Sequence, residues 1–271
     1  MKLDTRLARD WRFRENQWKR RARLAAREIR DGDASNYETF SPTTPLAVVK
    51  MLIVMSLLHG LSIASVDVGD AFLQVPQTPL VLIEVPLWAL HSGEVGNGKR
   101  FWVLKRCLPG QRVAASEWNK FFTEICERHS FESFQGTIFR HKKQMAFISA
   151  HIDDLLIVDS KKFINNLYKE LPKELRLKIE GLLQPGDDGS IFYLKRELQF
   201  NENGIDVSPS SRYIPKLAEL LKVYDRRGRT APHHGCLQIY DPEATAEDQY
   251  LNAEDAKLSR SALGICIYVT L

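Results

Sequence analysis

Ala150-His151-Ile152-Asp153-Asp154-Leu155-Leu156 is the stretch on which the reading of this 271-residue chain turns. Two apolar runs, 145–152 and 155–158, have the length and β-branched content of strands, and the pair Asp153-Asp154 lies between them. That placement predicts a hairpin with two carboxylates at its tip, although Asp-Asp lacks the glycine that tight two-residue turns favour. Adjacent like charges repel, so a compensating partner is expected, and a divalent cation suits hard oxygen ligands. The plain alternative is an ordinary polar turn.

Working outward, Asp67 ends another apolar run, 61–68, and precedes Gly69, Ala71 and Phe72. Small residues there would let the backbone approach a ligand. If strand 61–68 lies beside the 145–158 hairpin, Asp67, Asp153 and Asp154 converge on one face. Three such carboxylates could hold two metal ions for an in-line attack on phosphorus. Read alone, Asp67 is a strand-end residue accepting backbone hydrogen bonds.

The surrounding pattern mixes helices and strands without strict alternation, which predicts an α+β fold. Thr44 and Pro45 open a helix carrying Leu46, Val49, Ile53 and Leu57 on one face, and Gly60 is placed to end it. Further strands are expected at 81–83, 101–104, 191–200 and 205–208. Helices are expected from Ala114, with Trp118, Phe121, Phe122 and Ile125 as core, at 162–171 and at 214–222. From there to Asp255 the chain reads as irregular and acidic.

Charge is unevenly spread. Residues 1–30 hold eleven basic and four acidic side chains, a net of +7 in a chain whose total is +4. With Trp11, Phe13 and Trp18 interleaved, this segment suits a polyphosphate partner, because Arg forks onto phosphate and aromatic faces stack on bases. A solvated helix or a disordered tail is the alternative. The four cysteines, Cys107, Cys126, Cys236 and Cys266, are too scattered for a disulfide framework or a thiolate zinc site. Neither a membrane span nor a signal peptide is expected, since the longest apolar stretch, 46–58, is interrupted by Lys50 and Ser56 and the start lacks an apolar core. The expectation is an intracellular protein with no membrane partner, not a secreted one.

These residues resemble the reverse transcriptase domain of copia-type LTR retrotransposons over nearly the whole chain. Asp67-Val68-Gly69-Asp70-Ala71-Phe72-Leu73 resembles polymerase motif A. The segment from Cys107 through Leu108-Pro109-Gly110-Gln111-Arg112-Val113 to Trp118 resembles motif B, and His151-Ile152-Asp153-Asp154 stands where the family carries Tyr-Val-Asp-Asp. Arg21-Ala22-Arg23-Leu24-Ala25-Ala26-Arg27 resembles the basic fingers segment, Tyr37-Glu38-Thr39-Phe40-Ser41-Pro42 the link after it, and Arg260-Ser261, Gly264 and Tyr268-Val269-Thr270 the stretch after the thumb.

The resemblance implies a right-hand polymerase of fingers, palm and thumb with an antiparallel palm sheet. It divides the chain into a basic fingers segment (1–30), a fingers and palm core (31–200), and the thumb with the start of a connection region (201–271). Asp67, Asp153 and Asp154 would bind metal, with the backbone carbonyl of Val68, and the ion would be Mg²⁺, with Mn²⁺ as the alternative. Arg21, Arg23, Asp70, Ala71, Phe72, Gly110 and Arg112 would form the nucleotide site, Phe72 acting as the steric gate that excludes a 2′-hydroxyl. Partners would be an RNA or DNA template-primer and deoxynucleoside triphosphates, in a cytoplasmic particle or the nucleus. RNase H and integrase, the expected polyprotein partners, have no motif in this chain. It departs from the family at Val113, usually Gln, at Ala115, usually Pro, and at His151, usually Tyr.

Other signals are weaker. Residues 93–99 fit G-x-x-x-x-G-K but lack the following Ser or Thr and lead into a strand, so an ATPase is disfavoured. His233, His234 and Cys236 lack a second ligand pair. The alternatives to a polymerase are a truncated or decayed element product that binds nucleic acid without polymerising, and a Mg²⁺ phosphohydrolase using the same carboxylates.

Overall fold

The computed structural model describes residues 2–14, 16–28, 41–90, 99–134, 136–202, 204–223 and 252–270. It begins with strand β1 (Lys2–Leu3) and a ribbon of β2 (Thr5–Arg14) and β3 (Gln17–Ala26). Helix α1 (Leu46–Leu58), strand β4 (Ser62–Val68) and the one-turn helix α2 (Ala71–Gln74) follow, then β5 (Leu82–Glu84), β6 (Phe101–Val103) and helix α3 (Ala114–Arg128). Four strands come next: β7 (Phe131–Phe134), β8 (Ile138–His141), β9 (Phe147–His151) and β10 (Asp154–Asp159). Helix α4 (Lys161–Glu170) leads to β11 (Leu177–Leu183), β12 (Ser190–Tyr193), β13 (Arg196–Asn201), β14 (Gly204–Pro209), α5 (Tyr213–Leu220) and α6 (Ala253–Thr270).

The chain forms two units. One comprises Met1–Tyr193 with Gln199–Ile205, the other Leu194–Leu198 with Asp206–Leu271. In the first, six antiparallel strands pair in the order β11-β4-β10-β9-β8-β7. Alternation assigns their faces. Ala64, Val66 and Val68 of β4, Leu155 and Ile157 of β10, and Ile148 and Ala150 of β9 bury one face in a cluster with Trp118, Phe122 and Ile125 of α3 and Ile164 and Leu167 of α4. Helix α1 lies against β4 and β10. In the second unit, Tyr268 of α6 packs on Tyr213 of α5, with ring centroids 4.6 Å apart, and its hydroxyl donates to the Lys195 carbonyl at 2.6 Å.

Several expectations need correction. The hairpin tip is Ile152-Asp153, because Asp154 already pairs with both neighbouring strands. Thr44 does not cap α1: the N-cap is Pro45, and the Thr44 hydroxyl donates to the Ala150 carbonyl at 3.2 Å. Stretch 191–200 is two strands, split where Leu194 and Lys195 both take positive φ without a glycine to signal it. Residues 253–270, part of which reads as irregular, form a helix. The basic N-terminal segment is neither helix nor tail but a ribbon of ten cross-strand pairs, from Thr5↔Ala26 to Arg14↔Gln17. Arg30, the loop at 31–36, the link residues 37–40, the G-x-x-x-x-G-K glycines at 93–98, and His233, His234 and Cys236 lie outside the described residues. No described helix is long and apolar enough to cross a membrane.

Candidate active site

Asp67 and Asp154 stand directly opposite each other on β4 and β10, so strand register alone puts both side chains on one face. His151 of β9 lies across from Asp154 and Lys178 of β11 across from Asp67, which completes one row over four strands. Asp153 follows in the tip, and its carbonyl accepts the Val68 N–H at 2.7 Å, binding the hairpin to the end of the strand that carries Asp67. Burial, then the charges of Asp153 and Asp67, push the Asp154 carboxyl up to about 6. Lys178 is held by Glu180 at 2.6 Å, and the His151 Nδ1 atom is buried with no hydrogen-bond partner among the described residues.

The tip itself is strained. Ile152 has φ +54°, a left-handed conformation that costs a β-branched residue about 1–3 kcal/mol. Its carbonyl accepts the indole N–H of Trp118 at 2.8 Å. Trp118 is indeed core, as its spacing predicts, yet its one polar atom is directed to this turn. Periodicity reports the burial of an indole and nothing of where its N–H points.

A cleft of about 860 Å³ opens beside the tip. Arg12, Lys19, Arg20, Arg21 and Arg23 of the ribbon line it together with Asp67, Asp70, Phe72 and Asp153. Val68 and Ala71 line it as well, whereas Asp154, Gly110 and Arg112 do not. Gly110 has another task. At φ +89° a Cβ there would fall 2.2 Å from the Ala26 carbonyl oxygen, so the turn after Pro109 seats the base of β3 only with glycine. The Pro109 carbonyl accepts the Ala26 N–H at 2.8 Å, and the backbone N–H of Arg112 donates to Glu28 at 2.9 Å.

Asp70 takes φ +49° at the start of α2, and Arg176 approaches its carboxylate at 3.5 Å. Gln74 braces this loop: its amide donates to the Gly69 carbonyl at 2.7 Å and accepts from the Arg176 N–H at 2.7 Å. A lone Gln in a one-turn helix carries no sequence signal for that role. Phe72 is half-buried and packs on the core beneath the cleft, which fixes its ring.

Among the described residues, no group of three His, Cys, Asp or Glu side chains closes to metal-holding distance. The donor chemistry nevertheless fits a hard divalent cation. Asp67, Asp153 and Asp154 supply hard oxygen donors, and the Asp154 carboxyl, raised first by burial and then by the charges of Asp153 and Asp67, is one whose ionised form a cation would favour.

The family model described as "Reverse transcriptase (RNA-dependent DNA polymerase)" matches residues 6–234. The chain belongs to the reverse transcriptase family. The matching form is the one typical of copia-type elements, and members of this nucleotidyltransferase family generally use divalent metals. No curated protein gives a significant match. Among solved structures, apo telomerase of Candida tropicalis, truncated from its C-terminal domain, is similar at 7% identity and TM-score 0.43, over 76% of this chain and 55% of that one. Telomerase of Candida albicans with a fragment of telomeric RNA is similar at 9% identity and TM-score 0.38, over 82% of this chain and 50% of that one. The reverse transcriptase chain thus spans about half the length of either telomerase.

Proposed function

We propose that this chain is the RNA-directed DNA polymerase domain of a copia-type retrotransposon, adding deoxynucleotides to a primer 3′-hydroxyl on an RNA or DNA template. The observation that carries the proposal is the cleft that sets five ribbon cations against Asp67, Asp153 and Phe72. The six-stranded sheet would be the palm, the β2–β3 ribbon part of the fingers, and the second unit the thumb.

In this reading Arg21 and Arg23, with Arg12, Lys19 and Arg20 beside them, hold the triphosphate by charge and forked hydrogen bonds. Phe72 fills the space under the sugar, so a deoxyribose fits and a 2′-hydroxyl does not. Asp70 and Ala71 shape the backbone around the phosphates, in a loop braced by Gln74. Gly110 and Arg112 act at one remove, by seating the ribbon.

Asp67, Asp153 and Asp154, with the Val68 carbonyl, would hold Mg²⁺ or Mn²⁺. When bound, such ions would lower the cost of deprotonating the primer hydroxyl and stabilise the leaving pyrophosphate. The chain's own task is positional: register fixes Asp67 against Asp154, and the pinned tip fixes Asp153. Catalysis of this kind is mostly positioning and charge stabilisation.

Among the described residues no three carboxylates close to metal-holding distance, which favours a second reading, an element product that binds nucleic acid without polymerising. Primer extension on an RNA template with Mg²⁺, by the wild type and Asp153→Asn at equal concentration, decides between them. The proposal expects extension that Asp153→Asn abolishes. Extension that survives Asp153→Asn refutes the mechanism, and duplex binding without extension in either protein selects the second reading.

A further inference from the structure

We infer that Trp118 is a positioning residue for the acidic tip: its indole N–H holds Ile152 in the left-handed conformation and so sets where the Asp153 carboxylate stands. The inference rests on the polymerase reading of the site and adds a residue to it.

The need for a restraint comes from Ile152. A β-branched residue at φ +54° leaves that conformation unless its surroundings over-determine it. Packing does little, because Ile152 is 38% exposed. Two hydrogen bonds do the holding, one to each carbonyl of the two-residue tip: Trp118 Nε1–H to Ile152 and Val68 N–H to Asp153. They come from different elements, α3 and β4, so the tip is fixed from two directions immediately before and at the residue that carries the carboxylate.

Trp118 is itself held firmly. It is 3% exposed, it stacks on Phe122 at 5.6 Å and 26°, and Phe122 meets Phe139 of β8 edge-on at 5.3 Å. A buried indole N–H must find an acceptor, and this one uses the carbonyl of the strained residue. Helix α3 also starts just after the turn at Pro109 and Gly110 that seats the ribbon. One helix therefore links the base of the cationic wall to the acidic tip.

If the indole holds the tip, removing its N–H should be damaging while Ile152 is present and harmless once residue 152 favours φ > 0. The test uses the full chain as Trp118→Phe and as Trp118→Phe with Ile152→Gly. Three quantities are read: the urea unfolding midpoint, Mn²⁺ affinity by electron paramagnetic resonance without nucleic acid, and kcat and KM for a deoxynucleotide in primer extension. Trp118→Phe should weaken Mn²⁺ binding and lower kcat, each about tenfold or more, with KM changed far less. Adding Ile152→Gly should restore most of both losses.

Wild-type Mn²⁺ affinity and kcat in Trp118→Phe would overturn the inference, as would a loss that Ile152→Gly does not repair. Should Trp118→Phe not fold, 3-benzothienylalanine at position 118 keeps the ring shape without the N–H, and the same outcomes apply. Extension surviving in Asp153→Asn strikes instead at the polymerase reading, so the two failures are distinguishable.

Discussion

The two walls of the cleft are built on different physical principles. The acidic wall grows from the middle of a six-stranded sheet, where Val66, Val68, Leu155 and Ile157 are buried beside Asp67 and Asp154. A slip of one residue would turn that apolar set outward, so the register that pairs the two carboxylates is enforced by the core. The basic wall is a two-stranded ribbon whose Trp11 and Trp18 are 61% and 66% exposed. Little burial enforces its register, and its anchorage lies at its base, where Ala26 packs with Leu3, Val81, Ile83 and Leu108. The lesson is that like charges can be forced together where a core fixes their strands, while many cations spread over an open ribbon tolerate change at any one position.

The sharpest way to break this comparison is to remove one charge from the acidic wall and three from the basic one. Asp67→Asn should lower primer extension about a thousandfold or more, since under the proposed mechanism it deletes a metal-holding charge. Neutralising Arg20, Arg21 and Arg23 together should cost only about ten- to a hundredfold, mostly in nucleotide or template affinity, and flatten the log–log salt dependence of nucleic-acid binding by about one unit per lost phosphate contact. Equal losses from the two changes would erase the distinction, and an unchanged salt slope would remove the ribbon from the binding surface.

A smaller effect tests whether the floor of the cleft belongs to the acidic wall. Phe72→Ala should admit ribonucleotides, raising their use relative to deoxynucleotides by about tenfold or more while deoxynucleotide incorporation persists. Single-nucleotide incorporation with each sugar measures it, and unchanged discrimination would assign the ring to packing alone.

Gly110→Ala probes the ribbon's anchorage. The added Cβ meets the Ala26 carbonyl, so unfolding stability should fall by about 1–3 kcal/mol, with faster amide exchange in β3 than in β4. Equal acceleration in both strands would mean that the ribbon is no less firmly fixed than the sheet.

The smallest effect concerns crowding of negative charge. The Asp154 carboxyl is raised to about 6 from its ordinary 3.8, so its ionisation opposes folding increasingly as pH rises from about 4 to about 6 and fully above that. With chelator present, Asp154→Asn should therefore stabilise the protein at pH 7, by about 1 kcal/mol once partial solvation is discounted. The gain should shrink as pH falls through about 6 and vanish below about 4, where the acid is neutral folded or unfolded. Urea unfolding of both proteins across that range checks the sign.

Sequence by itself determined the local facts: strands on either side of Asp153, a strand carrying Asp67 near its end, a buried face on α3 and an excess of positive charge in the first thirty residues. Periodicity and composition carry such facts because burial and charge act residue by residue. Motif order made the family legible as well, and the family match agrees with it. Tertiary structure decided what depends on two distant segments meeting. The Asp67↔Asp154 pairing joins residues 87 positions apart in a register set by the common core. Gly110 could be read as a ligand contact until the Ala26 backbone arrived beside it. The ribbon's cations became one wall of a cleft only when its base was seated on the turn at Pro109, and the direction of the Trp118 N–H followed from helix docking. A hydrogen bond between remote segments leaves no period in either, so only the folded chain could reveal it.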